Sequence, residues 1–141
     1  MARLVIDAPT LLHVVAEGPA MNVQHQLVAP NLIRSQALSL LLGAVQRGEI
    51  TEAVALDRHE RLTELKMRLL NDRVSRRTAW QIARQHDWET TFDAEYLAVT
   101  KLQADALVTV DAAMAARAAS VVAVAPVSAL TAAWTPPTEV G

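Results

Sequence analysis

Leu4-Val5-Ile6-Asp7, three apolar residues running out into an acid, is the stretch on which the fold turns. So short an uninterrupted apolar run, bounded by Pro9, reads as a buried strand. A second run of the same kind, Ala106-Leu107-Val108-Thr109-Val110-Asp111, lies about a hundred residues later and also ends in an acid. In open α/β sheets, ligands bind in the crevice beyond the carboxyl ends of the strands. Two carboxylates delivered there from distant parts of the chain suggest a cation site. Asp93, at a helix start just before the second strand, can join them.

Working outward, strands alternate with helices. Thr10–Ala16 can form a helix ended by Gly18-Pro19, and Gln26–Ala29 reads as a strand. After Pro30, Asn31 is positioned to cap a helix that runs to Gln46 and is closed by Gly48. A helix from Thr51 to Leu62 and a brief edge strand Met67–Leu70 follow. Arg73–His86 is amphipathic, built on Val74, Ala79, Ile82 and Ala83. Asp93 is expected as N-cap of a helix Ala94–Leu102, and Ala112–Ala119 as a helix after the second acid-ended strand. A strand Val121–Val124 and a helix near Val127–Trp134 complete the core. This order predicts a three-layer α/β/α fold around a parallel sheet of four to five strands. Residues 1–135 form one domain and 136–141 a tail.

Composition agrees. The chain has 141 residues, 52% apolar and 20% charged, which is globular. It has no cysteine, excluding disulfides and thiolate metal sites. The uncharged stretch Ala118–Thr138 is broken by Pro126, Pro136 and Pro137, so a membrane span is not expected, and a soluble, cytoplasmic protein is. Net charge is −2 but uneven: residues 58–84 carry +5 and the remainder −7. Arg73, Arg76, Arg77 and Arg84 within that basic stretch could grip a polyanion, or could be a solvated helix face.

Other chemistries fall away. The four glycines, at 18, 43, 48 and 141, permit neither a dinucleotide fingerprint nor a P-loop. His13, His25, His59 and His86 lack metal-ligand spacing, and no Ser sits on a nucleophile elbow. What survives is the acidic group, suited to Mg²⁺ or Mn²⁺, although Asp93 and Asp111 could each simply cap a helix. Asp105 begins the strand that Asp111 ends, about 20 Å away, and is no member.

Leu4-Val5-Ile6-Asp7-Ala8, Ala29-Pro30-Asn31-Leu32, Phe92-Asp93-Ala94-Glu95-Tyr96-Leu97-Ala98 and Leu107-Val108-Thr109-Val110-Asp111 together resemble the PIN domain, specifically the VapC-like toxin ribonucleases. The likeness runs from residue 3 to about 125. It implies a metal-dependent endoribonuclease, usually a homodimer, held inactive by a small antitoxin protein. Carried over by position, Asp7, Asp93 and Asp111 are metal ligands for Mg²⁺ or Mn²⁺, and Thr109 is a hydroxyl beside them.

The pattern breaks at Gln36, where the family carries a glutamate; Ser39 and Pro9 also depart from it. Gln36 would position water or substrate, and metal affinity should fall with the lost charge. At about 4 Å such a charge is worth up to roughly 4 kcal/mol at an effective dielectric of 20, before screening. A weakened ribonuclease is therefore the leading expectation. The alternative is a catalytically lapsed PIN module that binds RNA or a protein partner. A structural dimer with an apolar patch around Trp80, Trp88 and Trp134 comes third, those residues being more often core anchors.

Overall fold

The computed structural model describes residues 2–17 and 25–131. Its elements alternate as the apolar runs demand: β1 (Arg3–Ile6), α1 (Ala8–Glu17), β2 (Gln26–Pro30), α2 (Leu32–Gln46), α3 (Glu52–Glu64), β3 (Arg68–Leu70), α4 (Arg73–Gln85), α5 (Phe92–Gln103), β4 (Ala106–Val108), α6 (Ala112–Ala118) and β5 (Val124–Ala125). A 3₁₀ turn, Val127–Leu130, follows. All five strands are parallel, in the order β3-β2-β1-β4-β5. This is the expected α/β fold, consistent with three layers.

The strand order explains the opening sequence. β1 is the central strand, paired with β2 on one side and β4 on the other, so Leu4, Val5 and Ile6 are wholly buried. Leu107 and Val108 on β4 are buried equally. From β1 the chain winds outward through β2 and β3, then returns to lay β4 on the opposite side. The reversal lies between β1 and β4, and the crevice at such a switch point is where open α/β sheets bind ligands.

α1, α2 and α3 pack as one group; α5 lies on β1, β2 and β4, and α4 packs against α5. At the amino ends of the strands, Asp105 accepts the Arg3 N–H at 2.8 Å, so it belongs to the opposite rim, as its spacing required. No helix among the described residues is long and apolar enough to cross a membrane.

Several boundaries differ from expectation, each for a local reason. α1 begins at Ala8 rather than Thr10, because Pro9 fits a first helical turn, where its missing N–H is not needed. Asn31 adopts helical dihedrals and its side chain caps nothing. β4 stops at Val108, and of the expected strand Val121–Val124 only Val124 is in a strand, β5, which starts three residues later than expected. There the Val121 and Val122 N–H groups both turn back to the Ala118 carbonyl and close α6. The helix expected at Val127–Trp134 is only the 3₁₀ turn up to Leu130; Trp134 lies outside the described residues.

Candidate functional site: an acidic cleft at the switch point

Asp7 is the first residue past β1. Its carbonyl accepts the Leu11 N–H at 2.9 Å and its Oδ1 the Thr10 N–H at 3.2 Å, so it closes the first turn of α1. The side chain is only 4% exposed. A carboxylate so buried must find donors, since an unpaired buried charge is costly. Two hydroxyls supply them. Thr10 Oγ1 donates to Oδ1, and Thr109 Oγ1 donates to Oδ2 at 2.6 Å.

Both hydroxyls then accept from the segment after β4: Thr10 Oγ1 from the Val110 N–H and Thr109 Oγ1 from the Asp111 N–H, each at 3.0 Å. An ionised carboxylate only accepts, so each threonine must direct its proton to Asp7 and its lone pairs to a backbone N–H. Asp7 thereby fixes the course of residues 109–111. That is why β4 ends early: Val110 and Asp111 give their N–H groups to side chains rather than to a ladder.

Asp111, so placed, accepts the N–H of Ala113 at 2.9 Å and of Met114 at 3.4 Å through Oδ1, capping α6. Asp93 does not cap α5, contrary to expectation. The helix starts at Phe92 after Thr91, and Asp93 sits inside its first turn. Its Oδ2 instead pairs with Arg117 Nη1 at 3.1 Å. The Arg117 guanidinium lies 4.8 Å from the centre of the Trp88 ring, which stacks on His86. Arg117 thus bridges the acidic corner and an aromatic shelf.

Gln36 enters from α2. Its Oε1 accepts the Tyr96 hydroxyl at 2.5 Å. Burial pushes the Tyr96 phenol far above its ordinary range, and the negative charges of Asp7, Asp93 and Glu95 add to this; a hydrogen bond with the Ala8 backbone opposes them. The phenol keeps its proton and remains a donor. Gln36 thus gives an oxygen lone pair to Tyr96 and lines the cleft as a neutral amide. It is an amide anchored from α5.

Asp7, Gln36, Asp93, Tyr96 and Asp111 all line one cleft of about 430 Å³, with Met114 in its wall. The three predicted acids, from three distant segments, are thus brought to one place. Thr109 reaches it through Asp7. The donor set is all oxygen, the chemistry that suits Mg²⁺ or Mn²⁺. Yet among the described residues no three acidic, histidine or cysteine side chains are gathered closely enough to hold an ion. The donor chemistry fits a hard cation; the side chains, as placed, are occupied by protein partners.

The predicted arginines of α4 are not in this cleft. Arg73, Arg76, Arg77 and Arg84 are exposed on that helix. Arg76 lines a smaller cleft beside Ser75, Glu95 and Pro30. Burial raises the pKa of Glu95, partly offset by Arg76. Three residues of the site were missed in the sequence. Tyr96 was findable, being one helical turn from Asp93 on the same face. Thr10, three positions after Asp7, carries the spacing of a cap. Arg117 gave no signal, because its pairing with Asp93 joins separate helices.

The molecule is thus an α/β/α domain with an acidic cleft at the reversal point of a five-stranded parallel sheet. No family model and no curated protein matches the chain. It is similar in structure to the crystal structure of PAE2754 from Pyrobaculum aerophilum, with a TM-score of 0.72 and 21% identity over 92% of each chain. That likeness is one of fold.

Proposed function

We propose that the chain is a metal-dependent endoribonuclease of the PIN, VapC-like type, weakened by Gln36. The observation that supports this most is the meeting of Asp7, Asp93 and Asp111 in one cleft at the switch point. Those three residues would hold Mg²⁺ or Mn²⁺. The cation would supply Lewis-acid activation of water and charge stabilisation at a phosphodiester. Asp7 is set in place by Thr10 and Thr109, and Asp111 by the start of α6. Gln36, its oxygen accepting from Tyr96, would donate through its NH₂ to a phosphate oxygen. A small antitoxin protein and a homodimeric state belong to the same proposal and rest on the family resemblance alone.

The test is cleavage of a mixed RNA pool with Mn²⁺ or Mg²⁺, comparing wild type with Asp111→Asn. Asparagine still caps a helix, so that variant retains the fold while losing the charge. Cleavage should fall by at least about a hundredfold, the order expected when positioned charge stabilisation is lost. Undiminished cleavage would place the chemistry elsewhere.

One observation favours the second reading, a lapsed module that binds RNA without cutting it: Arg117 occupies a carboxylate oxygen of Asp93 that the enzyme would need. Gln36→Glu separates the two. On the first reading it raises Mn²⁺ affinity and cleavage together. On the second the variant gains Mn²⁺ affinity and still does not cut.

A further inference from the structure

Helix α4 breaks two local rules. Arg73 and Arg76 occupy its first turn with no acid among them, where the positive end of the helix dipole favours acids. Trp80 stands 62% exposed, leaving most of the large apolar surface of its indole uncovered. Departures of this sort, on a helix otherwise well capped by Asp72, mark places where ligand binding outweighs local stability.

The spacing joins the two anomalies. Residues 73, 77, 80 and 84 are four, three and four apart, so they form one stripe along the helix, roughly 16 Å long. The opposite face, Ser75, Ala79, Ile82 and Ala83, is buried against the domain. Arg73, Arg77 and Arg84 are exposed, and none enters an ion pair among the described residues. α4 contains no acidic residue. An uncovered indole with guanidinium groups on the same stripe is the side-chain set that single-stranded nucleic acid takes: stacking on the ring, phosphates on the cations. Paired bases hide their faces, so a duplex could use only the charges.

We infer that the outward face of α4 is a docking track for single-stranded RNA, with Trp80 as the stacking platform and Arg73, Arg77 and Arg84 on the phosphates. The end of the track leads toward the acidic cleft, and its start borders a separate, smaller one. The first turn of α4 shares the small cleft of Arg76 and Glu95 with α5, and Trp88, just past α4, backs the Arg117–Asp93 pair. The inference rests on the proposed function only for the choice of RNA as polyanion; docking on α4 needs neither cation nor cleavage.

The experiment uses the full chain in EDTA with a short fluorescein-labelled oligouridylate, reading anisotropy and tryptophan emission. Wild type should bind and its emission should be quenched. Trp80→Ala should weaken binding about tenfold or more, and Trp80→Phe should recover part of it. Arg77→Gln should reduce the slope of log K against log salt by about 0.7. The same oligonucleotide annealed to its complement should bind more weakly.

Undiminished binding by Trp80→Ala overturns the inference, as does a duplex bound as tightly as the single strand. So does Trp80 emission that shifts with protein concentration alone, which would mean that a second copy covers the face. If Trp80→Ala binds normally while RNA is cut in an Asp111-dependent manner, the track is wrong and the cleavage reading stands. If Trp80→Ala loses binding but no cation produces cutting, the track stands and cleavage falls.

Discussion

The acidic cleft and the outward face of α4 carry opposite charge and are built in opposite ways. In the cleft every acid has a partner within the protein: Asp7 two threonine hydroxyls, Asp111 the start of α6, Asp93 the Arg117 guanidinium. On α4, Arg73, Arg77 and Arg84 have no ion-pair partner among the described residues. For Asp7 the difference follows from burial; the half-exposed Asp93 and the exposed Asp111 owe their partners to their places beside α6. A charge taken out of water must be paired or the fold does not tolerate it, whereas a charge in water can wait for a ligand. The cleft's charges therefore shape the molecule, and those of α4 do not.

Removing Asp7 should break this contrast most sharply. Asp7→Ala leaves two hydroxyls and the Thr10 N–H without their acceptor and frees the 109–111 segment. At 1–3 kcal/mol per stranded group, a stability loss of about 3–5 kcal/mol is expected in urea unfolding. Arg77→Ala, on the exposed face, should stay within about 0.5 kcal/mol. Equal losses from the two variants would show that Asp7 does not organise the rim.

Arg117→Met sharpens the comparison within the cleft. The Arg117–Asp93 pair is about half exposed, so its loss together with the Trp88 contact should cost only about 1 kcal/mol. Freeing Asp93 and deleting a nearby positive charge should tighten Mn²⁺ binding several-fold, measured by calorimetry. Weaker Mn²⁺ binding would mean that Arg117 supports the site instead of masking it.

The smallest effect, and the one with opposing signs, belongs to Arg73→Glu. An acid in the first turn of α4 should stabilise the fold by about 0.5 kcal/mol while weakening oligouridylate binding. Stability and binding moving together would argue that Arg73 serves the fold.

Much of the architecture was legible because its signals are local. Leu4-Val5-Ile6 and Ala106-Leu107-Val108 are too apolar and too short for anything but central parallel strands. The one-sided pattern of Arg73–Gln85 marks α4 as a helix lying on a surface. Misreadings arose where two local signals competed. Pro9 read as a boundary although it also suits a first turn, and Val121-Val122 read as a strand although its N–H groups close a helix. Asp93 looked like a cap, because a cap and a cleft carboxylate occupy neighbouring positions at a helix start. Trp80 read as a core anchor, and only its burial distinguishes an anchor from a platform.

By itself the amino-acid order determined the alternation of strands and helices, the acids beyond two strand ends, and the concentration of positive charge in residues 58–84. These follow from hydrophobic periodicity and composition, which act over a few neighbouring residues. Only the tertiary structure decided that Asp7 engages Thr109, that Tyr96 takes the oxygen of Gln36, and that Arg117 reaches Asp93. Those partners are 102, 60 and 24 positions apart. No local preference specifies such pairs; they are set when rigid elements pack and each buried polar group takes the nearest complementary one.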